Sequence, residues 1–372
     1  MNFIVDLRNK ILGFLYKNVL KSVFFLIDPE IIHNRMILTG RFLGSNFIFR
    51  GLTALAFSYS NPKLEQEILG IKFKNPIGLA AGFDKNARLT DILPSVGFGF
   101  AEVGSITAEE CAGNPGKRLW RLKKSRGLVV NYGLKNDGCD KIKERLKDKK
   151  FKIPVGISIA KTNSSKTVDV EADMADYAKT YRDFADIGSY YTINISCPNA
   201  YGGEPFTDPA KLEKLLAELE KTKISRPVFI KLSPDLEKNQ IDEILKVIAR
   251  YKINGIICSN LTKNRDNKKI IDSEIPAQGG ISGKVVEDLA NELIKYIYQK
   301  TGNRYVIIGC GGVFCAKDAY KKIKTGASLI QIITGMIFEG PQVVSEINAG
   351  LVKLLEKDGL KNISEAIGKN SI

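Results

Sequence analysis

The sequence predicts an α/β protein made of a (β/α)8 barrel, the TIM-barrel fold, with a small N-terminal helical extension. Eight apolar, β-rich runs recur along the chain, and longer helical or irregular segments separate them. Polar residues or glycines stand at the ends of these runs, where such a barrel places its chemistry. At 372 residues the chain is long enough for one barrel and an extension.

Residues 1–27 are predicted to form an amphipathic helix. Apolar residues such as Phe3, Leu7 and Ile11 recur at spacings of three and four, and lysines interrupt them. The lysines end each apolar run well before the roughly 20 residues that span a bilayer. The pattern favours a helix that lies on a membrane surface, with packing against the barrel as the alternative.

A second helix is predicted from Pro29 to Phe42. Asp28 suits the N-cap of this helix, and Pro29 suits its first turn. Residues 45–63 show weaker periodicity and include the turn-prone Ser-Asn-Pro. We therefore divide the chain into an N-terminal helical membrane-associating region (1–62) and a barrel (63–372).

The eight runs supply the predicted barrel strands. A doubly wound sheet also alternates strands with helices, but no G-x-G-x-x-G motif opens the first unit, and eight strands is the barrel number. The runs are PIGLAA (76–81), FAEVGS (100–105), PVGISIA (154–160), YTINIS (191–196), PVFIKL (227–232), GIICSN (255–260), YVIIGC (305–310) and SLIQIIT (328–334).

Composition limits the classes of partner. The net charge of +15 suits nucleic acid, anionic lipid or an anionic substrate. The lysines are scattered over predicted loops without the interleaved aromatic residues of a single-strand binder, so we expect no nucleic-acid partner. Six cysteines without a C-x-x-C pair, and His33 as the single histidine, predict no metal site and indicate reduced thiols in the cytosol.

The segment YTINISCPN (191–199) passes from a strand to a reactive tip within nine residues. Asn194 and Asn199 offer amides, and Cys197 offers a thiol. Together with Asn260, the asparagines match a ring of alternating C=O and N–H groups such as a pyrimidine imide. The alternative is an ordinary polar loop with a buried cysteine.

Glycine-rich loops follow the seventh and eighth strands. GCGGV (309–313) and Thr334-Gly335 occupy the positions where barrels bind phosphate through backbone N–H groups, although one such loop alone could be a tight turn. Lys231 ends the fifth strand, where a fixed cation would stabilise a reduced flavin. Lys85 is predicted to reach the same barrel mouth.

Seven motifs resemble dihydroorotate dehydrogenases. They are AAGFDKN (80–86), FGFAEVGSIT (98–107), NISCPN (194–199), IKLSPD (230–235), QGGISGK (278–284), IIGCGGV (307–313) and GASLIQIITG (326–335). The resemblance implies FMN at the barrel mouth and oxidation of dihydroorotate to orotate in pyrimidine biosynthesis. It also implies FMN contacts at Ala80, Ala81, Ser105, Ser158, Lys231, Ser259, Ser282, Gly283, Gly311, Gly312, Thr334 and Gly335.

The resemblance implies substrate contacts at Lys85, Asn194, Asn199 and Asn260, with Cys197 as the general base. We expect nearby cations, Lys85 among them, to lower the pKa of the Cys197 thiol from about 8.5. Ungapped matching places Val130 at the position of a further ligand asparagine and leaves Asn131 one place away; Asn131 is kept as a substrate-contact candidate.

The segment IDPEIIH (27–33) resembles the extension of the membrane-associated, quinone-reducing class, in which counterparts of His33 and Arg121 line a quinone tunnel. That class carries serine at the position of Cys197, and cysteine belongs to the soluble classes. Ser158 replaces an asparagine near the flavin, Ala200 a hydroxyl residue, and Ile333 a tunnel tyrosine.

The sequence thus predicts an FMN-dependent dihydroorotate dehydrogenase, bound peripherally to the cytoplasmic side of the cell membrane, that passes electrons to a membrane quinone. The enzyme alternatives are a soluble-type dihydroorotate dehydrogenase with another acceptor and an FMN barrel acting on a related pyrimidine. The alternatives from other classes are a flavin-binding protein without turnover and a basic membrane or nucleic-acid adaptor.

Overall fold

The computed structural model of the chain describes residues 3–167 and 169–371. A π-helical turn, Tyr16–Leu20, joins the first two helices. The helices are, in chain order, α1 (Phe3–Leu15), α2 (Lys21–Phe24), α3 (Pro29–Gly44), α4 (Phe47–Phe57), α5 (Leu93–Val96), α6 (Cys139–Leu146), α7 (Val170–Asp183), α8 (Pro209–Glu220), α9 (Lys238–Ile248), α10 (Glu287–Thr301), α11 (Ala316–Lys324), α12 (Thr334–Glu339) and α13 (Val343–Lys357).

The strands form a closed parallel barrel and two small sheets. The strands are β1 (Gln66–Ile68), β2 (Ile71–Phe73), β3 (Ile77–Leu79), β4 (Phe100–Ile106), β5 (Leu119–Leu122), β6 (Gly127–Val130), β7 (Val155–Ile159), β8 (Tyr190–Asn194), β9 (Val228–Leu232), β10 (Gly255–Cys258), β11 (Gly280–Gly283), β12 (Val306–Cys310) and β13 (Leu329–Ile332). The barrel order is β3-β4-β7-β8-β9-β10-β12-β13, closed between β13 and β3.

The prediction of eight barrel strands is confirmed, because each predicted run contains one barrel strand. Strands β7, β8 and β9 are buried at every residue, as expected for parallel strands covered by helices outside and by side chains inside. Their β-branched and aromatic residues suit this environment. The carboxyl ends of all eight strands therefore open on one face of the barrel.

Aromatic rings fill the lower part of the barrel, opposite glycines on neighbouring strands. A Cβ on Gly156 would lie 2.1 Å from the ring of Tyr190, and a Cβ on Gly78 would lie 2.4 Å from the ring of Phe100. Above them the buried Glu102 carboxylate accepts hydrogen bonds from Thr192 Oγ1 at 2.9 Å and Gln331 Nε2 at 3.0 Å. The interior is thus packed and leaves space only towards the mouth.

The N-terminal extension follows the prediction in part. Residues 3–24 are helical, and α3 begins at Pro29 with the Asp28 side chain accepting from the Glu30 and Ile31 N–H groups. Met1 and Asn2 lie outside the described residues. Helix α4 was not predicted, because residues 45–63 showed weaker periodicity in the sequence; the helix begins at Phe47, where the Asn46 side chain accepts from the Phe49 N–H group.

A three-stranded antiparallel sheet, in the order β11-β6-β5, is an addition that the sequence did not predict. Strand β6 pairs with β5 nearby in the chain and with β11 about 150 residues later, with Val130 opposite Gly280. Helix α3 packs against β5. The sheet contributes Leu119, Leu128 and Val130 to the wall of the cavity described below.

Candidate active site

One large cavity opens at the carboxyl ends of the barrel strands, between the barrel, the three-stranded sheet and α3. Its volume, including the opening to solvent, is about 1280 Å³. A concave site with a few polar groups among apolar side chains is where small ligands usually bind.

All but three of the predicted site residues line this cavity. The three that do not are Asn131, Ser158 and Arg121. The residues that line it are His33, Ala80, Ala81, Lys85, Ser105, Asn194, Cys197, Asn199, Lys231, Ser259, Asn260, Ser282, Gly283, Gly311, Gly312, Thr334 and Gly335.

Ser158 and Asn131 lie directly behind the residues that line the cavity. The Ser158 hydroxyl is 2.8 Å from that of Ser105, which in turn accepts from Asn194 Nδ2 at 2.9 Å. The Asn131 side chain accepts from Asn114 Nδ2 at 2.9 Å, while Val130 faces the cavity. Consecutive residues at the end of a strand point to opposite faces. This explains why Val130, at the end of β6, faces the cavity and Asn131 does not.

Arg121 lies on β5 beneath the N-terminal extension. Its Nη1 donates to the carbonyl oxygen of Ile27 at 2.7 Å, and its guanidinium stacks 4.6 Å from the centre of the Phe25 ring. Arg121 thereby fixes the segment that connects α2 to α3.

Asparagines and a serine form a hydrogen-bonded floor where β8 and β10 end. Asn260 Nδ2 donates to the Ser196 carbonyl oxygen at 2.7 Å, and the Ser196 hydroxyl donates to Asn194 Oδ1 at 3.1 Å. Asn199 Nδ2 donates to the Val130 carbonyl oxygen at 2.8 Å, which ties the loop after β8 to the three-stranded sheet. These bonds hold several amide groups against one cavity.

The loops after β12 and β13 place backbone and hydroxyl groups close together. Gly312 has a φ of +76°, and a Cβ there would lie 2.3 Å from Glu287 Cβ. A Cβ on Gly335 would lie 2.0 Å from the Val313 carbonyl oxygen. The Ser282 and Thr334 hydroxyls are 2.8 Å apart in the same wall. Because only glycine fits these positions, the backbone can come close to a phosphate group.

Lys231 is a buried cation directed at the cavity. Its side chain is 4% exposed, and within residues 3–167 and 169–371 it makes no hydrogen bond or ion pair. Its ammonium group faces the space of the cavity rather than a protein partner. The residue therefore fits an electron-rich ligand that would supply the missing partner.

Lys85 is bound to the N-terminal extension. Its Nζ lies 3.1 Å from His33 Nε2 and 3.9 Å from the centre of the Tyr132 ring. Burial lowers the pKa of His33 to about 2, and the charges of Lys85 and Lys135 add to this effect. While Lys85 is charged, the neutral ring accepts from its ammonium at Nε2. Burial also lowers the pKa of Lys85, to about 7.

Cys197 lies on the cavity wall, but the predicted lowering of its pKa is wrong. Burial raises the pKa of this thiol to about 11. The Asn199 backbone N–H lowers it, and among nearby charges Glu204 raises it while Lys263 lowers it. The Lys85 ammonium instead bonds to His33. Cys197 is therefore a thiol at neutral pH.

The end of the cavity nearest the extension is apolar. Tyr16 of the π-helical turn donates from its hydroxyl to the carbonyl oxygen of Ile337, and Phe25 packs edge-on against Phe338 at 5.3 Å. Among the lining residues, Leu119, Leu128, Val130 and Ile337 belong to the same hydrophobic cluster as Phe25, and Val313 and Ile333 are further apolar residues of the cavity wall.

Tyr132 and Gln331 also line the cavity and were missed in the sequence. Tyr132 follows Asn131 in the motif GLVVNYGLKNDG, which was a usable signal. Gln331 lies inside β13, within a run that looked like plain strand, and only its contact with the buried Glu102 distinguishes it.

A cluster of potential metal ligands lies away from this cavity, at Cys139, Asp140 and Asp183. Lys179 Nζ is 2.8 Å from Cys139 Sγ, 3.3 Å from Asp140 Oδ1 and 3.6 Å from Asp183 Oδ2. The lysine therefore supplies the positive charge that these groups attract.

The fold and the site together define a class: (β/α)8-barrel oxidoreductases in which the large cavity at the barrel mouth joins a polar floor to an apolar end. The family model for dihydroorotate dehydrogenase matches residues 63–355. The chain belongs to the dihydroorotate dehydrogenase family.

Curated relatives and solved structures agree with this assignment. A dihydroorotate dehydrogenase (quinone) from Natronomonas pharaonis is 38% identical over 352 residues, which cover 94% of this chain and 98% of the relative. One from Trichormus variabilis is 38% identical over 372 residues, covering 95% and 98%. The structure of DHODH from Eimeria tenella in complex with ferulenol superimposes with a TM-score of 0.82 at 26% identity, covering 92% of this chain and 96% of that one.

Proposed function

We propose that the chain oxidises dihydroorotate to orotate with FMN and transfers the electrons to a membrane quinone. The observation that carries the proposal is the composite cavity, in which an amide-rich floor with Cys197 and Lys85 continues into an apolar end beneath the extension. The relatives named dihydroorotate dehydrogenase (quinone) support both the substrate and the acceptor.

Bound FMN would supply a two-electron acceptor. Its phosphate fits the loops around Gly312 and Gly335, together with the Ser282 and Thr334 hydroxyls, because these groups converge where a Cβ would clash. Lys231 fits the electron-rich ring, since its buried ammonium lacks a partner among the described residues. Predicted contacts at Ala80, Ala81, Ser105, Ser259, Gly283 and Gly311 belong to the same cavity wall.

Dihydroorotate would bind to the amide floor. Asn194, Asn199 and Asn260 offer both donors and acceptors for the pyrimidine ring, and Lys85 offers a cation for the carboxylate. Cys197 is the candidate base that removes the C5 proton while the C6 hydride leaves. To meet the substrate carboxylate, Lys85 would exchange its bond with neutral His33 for a stronger charged partner.

The quinone would enter through the apolar end. Ile333 lies in that wall, at the position where the family resemblance implies a tyrosine, so the ring would be held there by packing rather than by a hydroxyl. His33 links this end to Lys85, and Arg121 secures the chain above it.

The extension, residues 1–62, would lie on the cytoplasmic surface of the cell membrane. Within the described parts of the chain, no helix combines the length and the hydropathy that a bilayer crossing requires. Large apolar side chains project from α1, α3 and α4, and they include Phe14 at 65% exposure, Phe47 at 75% and Leu55 at 74%. Such exposed apolar surface, with lysines and arginines among it, suits peripheral binding to anionic lipid.

Replacing Phe14, Phe47 and Leu55 with serine is expected to weaken binding to anionic vesicles at least tenfold, because each apolar side chain contributes roughly 1.5–3 kcal/mol when buried. Vesicle co-sedimentation measures the effect. A single Ile271→Ser change removes another exposed apolar side chain outside the extension and serves as the control. Equal vesicle binding by the triple variant and the native chain would contradict the membrane proposal.

The acceptor is tested by reoxidation of protein that dihydroorotate has already reduced. A long-tailed quinone, fumarate and NAD⁺ are compared under anaerobic conditions, and the quinone is expected to react fastest. A faster reaction with fumarate or NAD⁺ would favour the soluble-type alternative. Dihydrouracil, which lacks the carboxylate, should reduce the flavin poorly; rapid reduction by it would favour a related pyrimidine as substrate.

A further inference from the structure

A second, much smaller cavity adjoins Cys197. It occupies about 240 Å³ in total, and its open centre accommodates about one water molecule. Cys197 lines both cavities. The small cavity is also lined by Glu204, seven residues along the loop that follows β8.

Glu204 is a carboxylate in an unusual setting. Its side chain is 17% exposed, and no group among the described residues donates a hydrogen bond to it. The nearest cation is Lys263, whose Nζ is 3.9 Å away. Among the nearby charges, Glu204 has the largest effect on the pKa of the Cys197 thiol. A half-buried carboxylate of this kind is suited to accept a proton.

The thiol state of Cys197 poses a chemical problem for the proposed function, on which this inference rests. Because Cys197 carries its proton at neutral pH, it cannot accept a second one from the substrate. A base in this position needs another group that takes the thiol proton as the substrate proton arrives.

We propose that Glu204, acting through one water molecule in the small cavity, accepts the proton of Cys197 while Cys197 takes the C5 proton of the substrate. The C5–H and S–H bonds break, and a new S–H bond and a carboxylic O–H bond form. The C5–H electron pair becomes the C5=C6 double bond as the hydride leaves C6 for the two-electron acceptor. Glu204 then releases its proton to solvent along its exposed edge.

The other titratable groups near the small cavity are already engaged. Lys161 pairs with Asp173 at 3.1 Å, and the Tyr177 hydroxyl donates to the Asn194 carbonyl oxygen at 2.8 Å. Asp235, which raises the pKa of Glu204, accepts from the Lys263 backbone N–H at 2.6 Å. Burial is the main cause that raises the Glu204 pKa, and Lys263 opposes it.

The test compares native protein with Glu204→Gln in two measurements. Peptide-resolved alkylation across pH gives the Cys197 pKa, which is expected to fall in the variant because a negative charge is lost. Stopped-flow flavin reduction at pH 7 is expected to be at least about tenfold slower. The native rate should level off once Glu204 is ionised, whereas the variant rate should keep rising until the thiolate forms by itself.

If Glu204 acted on Cys197 through its charge alone, Glu204→Gln would change the rate of flavin reduction in the opposite direction. A lower Cys197 pKa would then make the variant faster at pH 7, and that result, or an unchanged rate, would overturn the proposal. Glu204→Asp should restore part of the rate. Glu213→Gln is the control. It changes a residue of α8, breaks only a surface pair with Arg250, and should change neither measurement.

A second variant covers the case in which Glu204→Gln fails to fold. Lys263→Met keeps Glu204 and removes its neighbouring cation, so the lower limb of the pH–rate profile should move to higher pH; an unmoved limb would overturn the proposal. The alkylation measurement needs no turnover. If native protein fails to react with dihydroorotate, the proposed function fails, while the Cys197–Glu204 coupling is still measured.

Discussion

Replacing Cys197 with alanine is expected to slow the reduction of bound flavin by dihydroorotate about 10²- to 10⁴-fold, the usual contribution of a positioned base. Orotate affinity should remain nearly unchanged, because the amides of the floor are bonded to one another and to the backbone rather than to the thiol. Stopped-flow absorbance gives the rate, and an orotate titration gives the affinity. Cys197→Ser should keep part of the activity, with its pH optimum moved upward.

Ser196 is the alternative base, and the structure argues against it. Its side chain is fully buried and bonded to Asn194 and Asn260, whereas Cys197 lines the large cavity. Near-normal reduction by Cys197→Ala, combined with a large loss in Ser196→Ala, would reverse the assignment.

Lys231→Met is expected to weaken cofactor binding and to leave the stability of the apoprotein nearly unchanged. The apoprotein should melt at nearly the same temperature, because the ammonium makes no bond in the described structure that the substitution could remove. FMN affinity should fall about 10- to 150-fold, which corresponds to roughly 1.5–3 kcal/mol for a hydrogen bond to a charged group. Calorimetry of the apoprotein and fluorescence titration with FMN measure the two effects.

Lys322 provides a matched control, since it is another buried lysine. Its Nζ donates to Asn291 Oδ1 at 2.8 Å, and it does not line the large cavity. Lys322→Met should lower the melting temperature, because Asn291 loses its partner, and should leave FMN affinity nearly intact. Parallel changes in the two methionine variants would show that Lys231 has no special relation to the cofactor.

The barrel could be predicted because each strand has a recognisable local sequence. The run PVFIKL contains β-branched residues and a polar residue near its end, and the structure places the fully buried strand β9 there. The three-stranded sheet could not be predicted in the same way. Its strands have four residues each. Strand β11 lies about 150 residues after β6, and the two strands are adjacent only once the barrel between them has folded.

Strand ends and glycine loops indicated part of the candidate site and the family resemblance the rest, but neither indicated the relations between its residues. The bond between His33 and Lys85 joins residues 52 positions apart through the docking of α3, and no local pattern encodes it. The Cys197 pKa was expected to fall because nearby cations, Lys85 among them, were expected to act on the thiol at the barrel mouth. Burial, which depends on the complete fold, decides its direction instead.

Anaerobic titration of the oxidised, FMN-loaded protein with dihydroorotate tests the central claim most directly. We expect the flavin absorbance to bleach fully with about one equivalent of substrate, orotate to appear in equal amount, and a long-tailed quinone to restore the colour. A protein that retains its oxidised spectrum in excess dihydroorotate, or that takes up no FMN at all, would contradict the account.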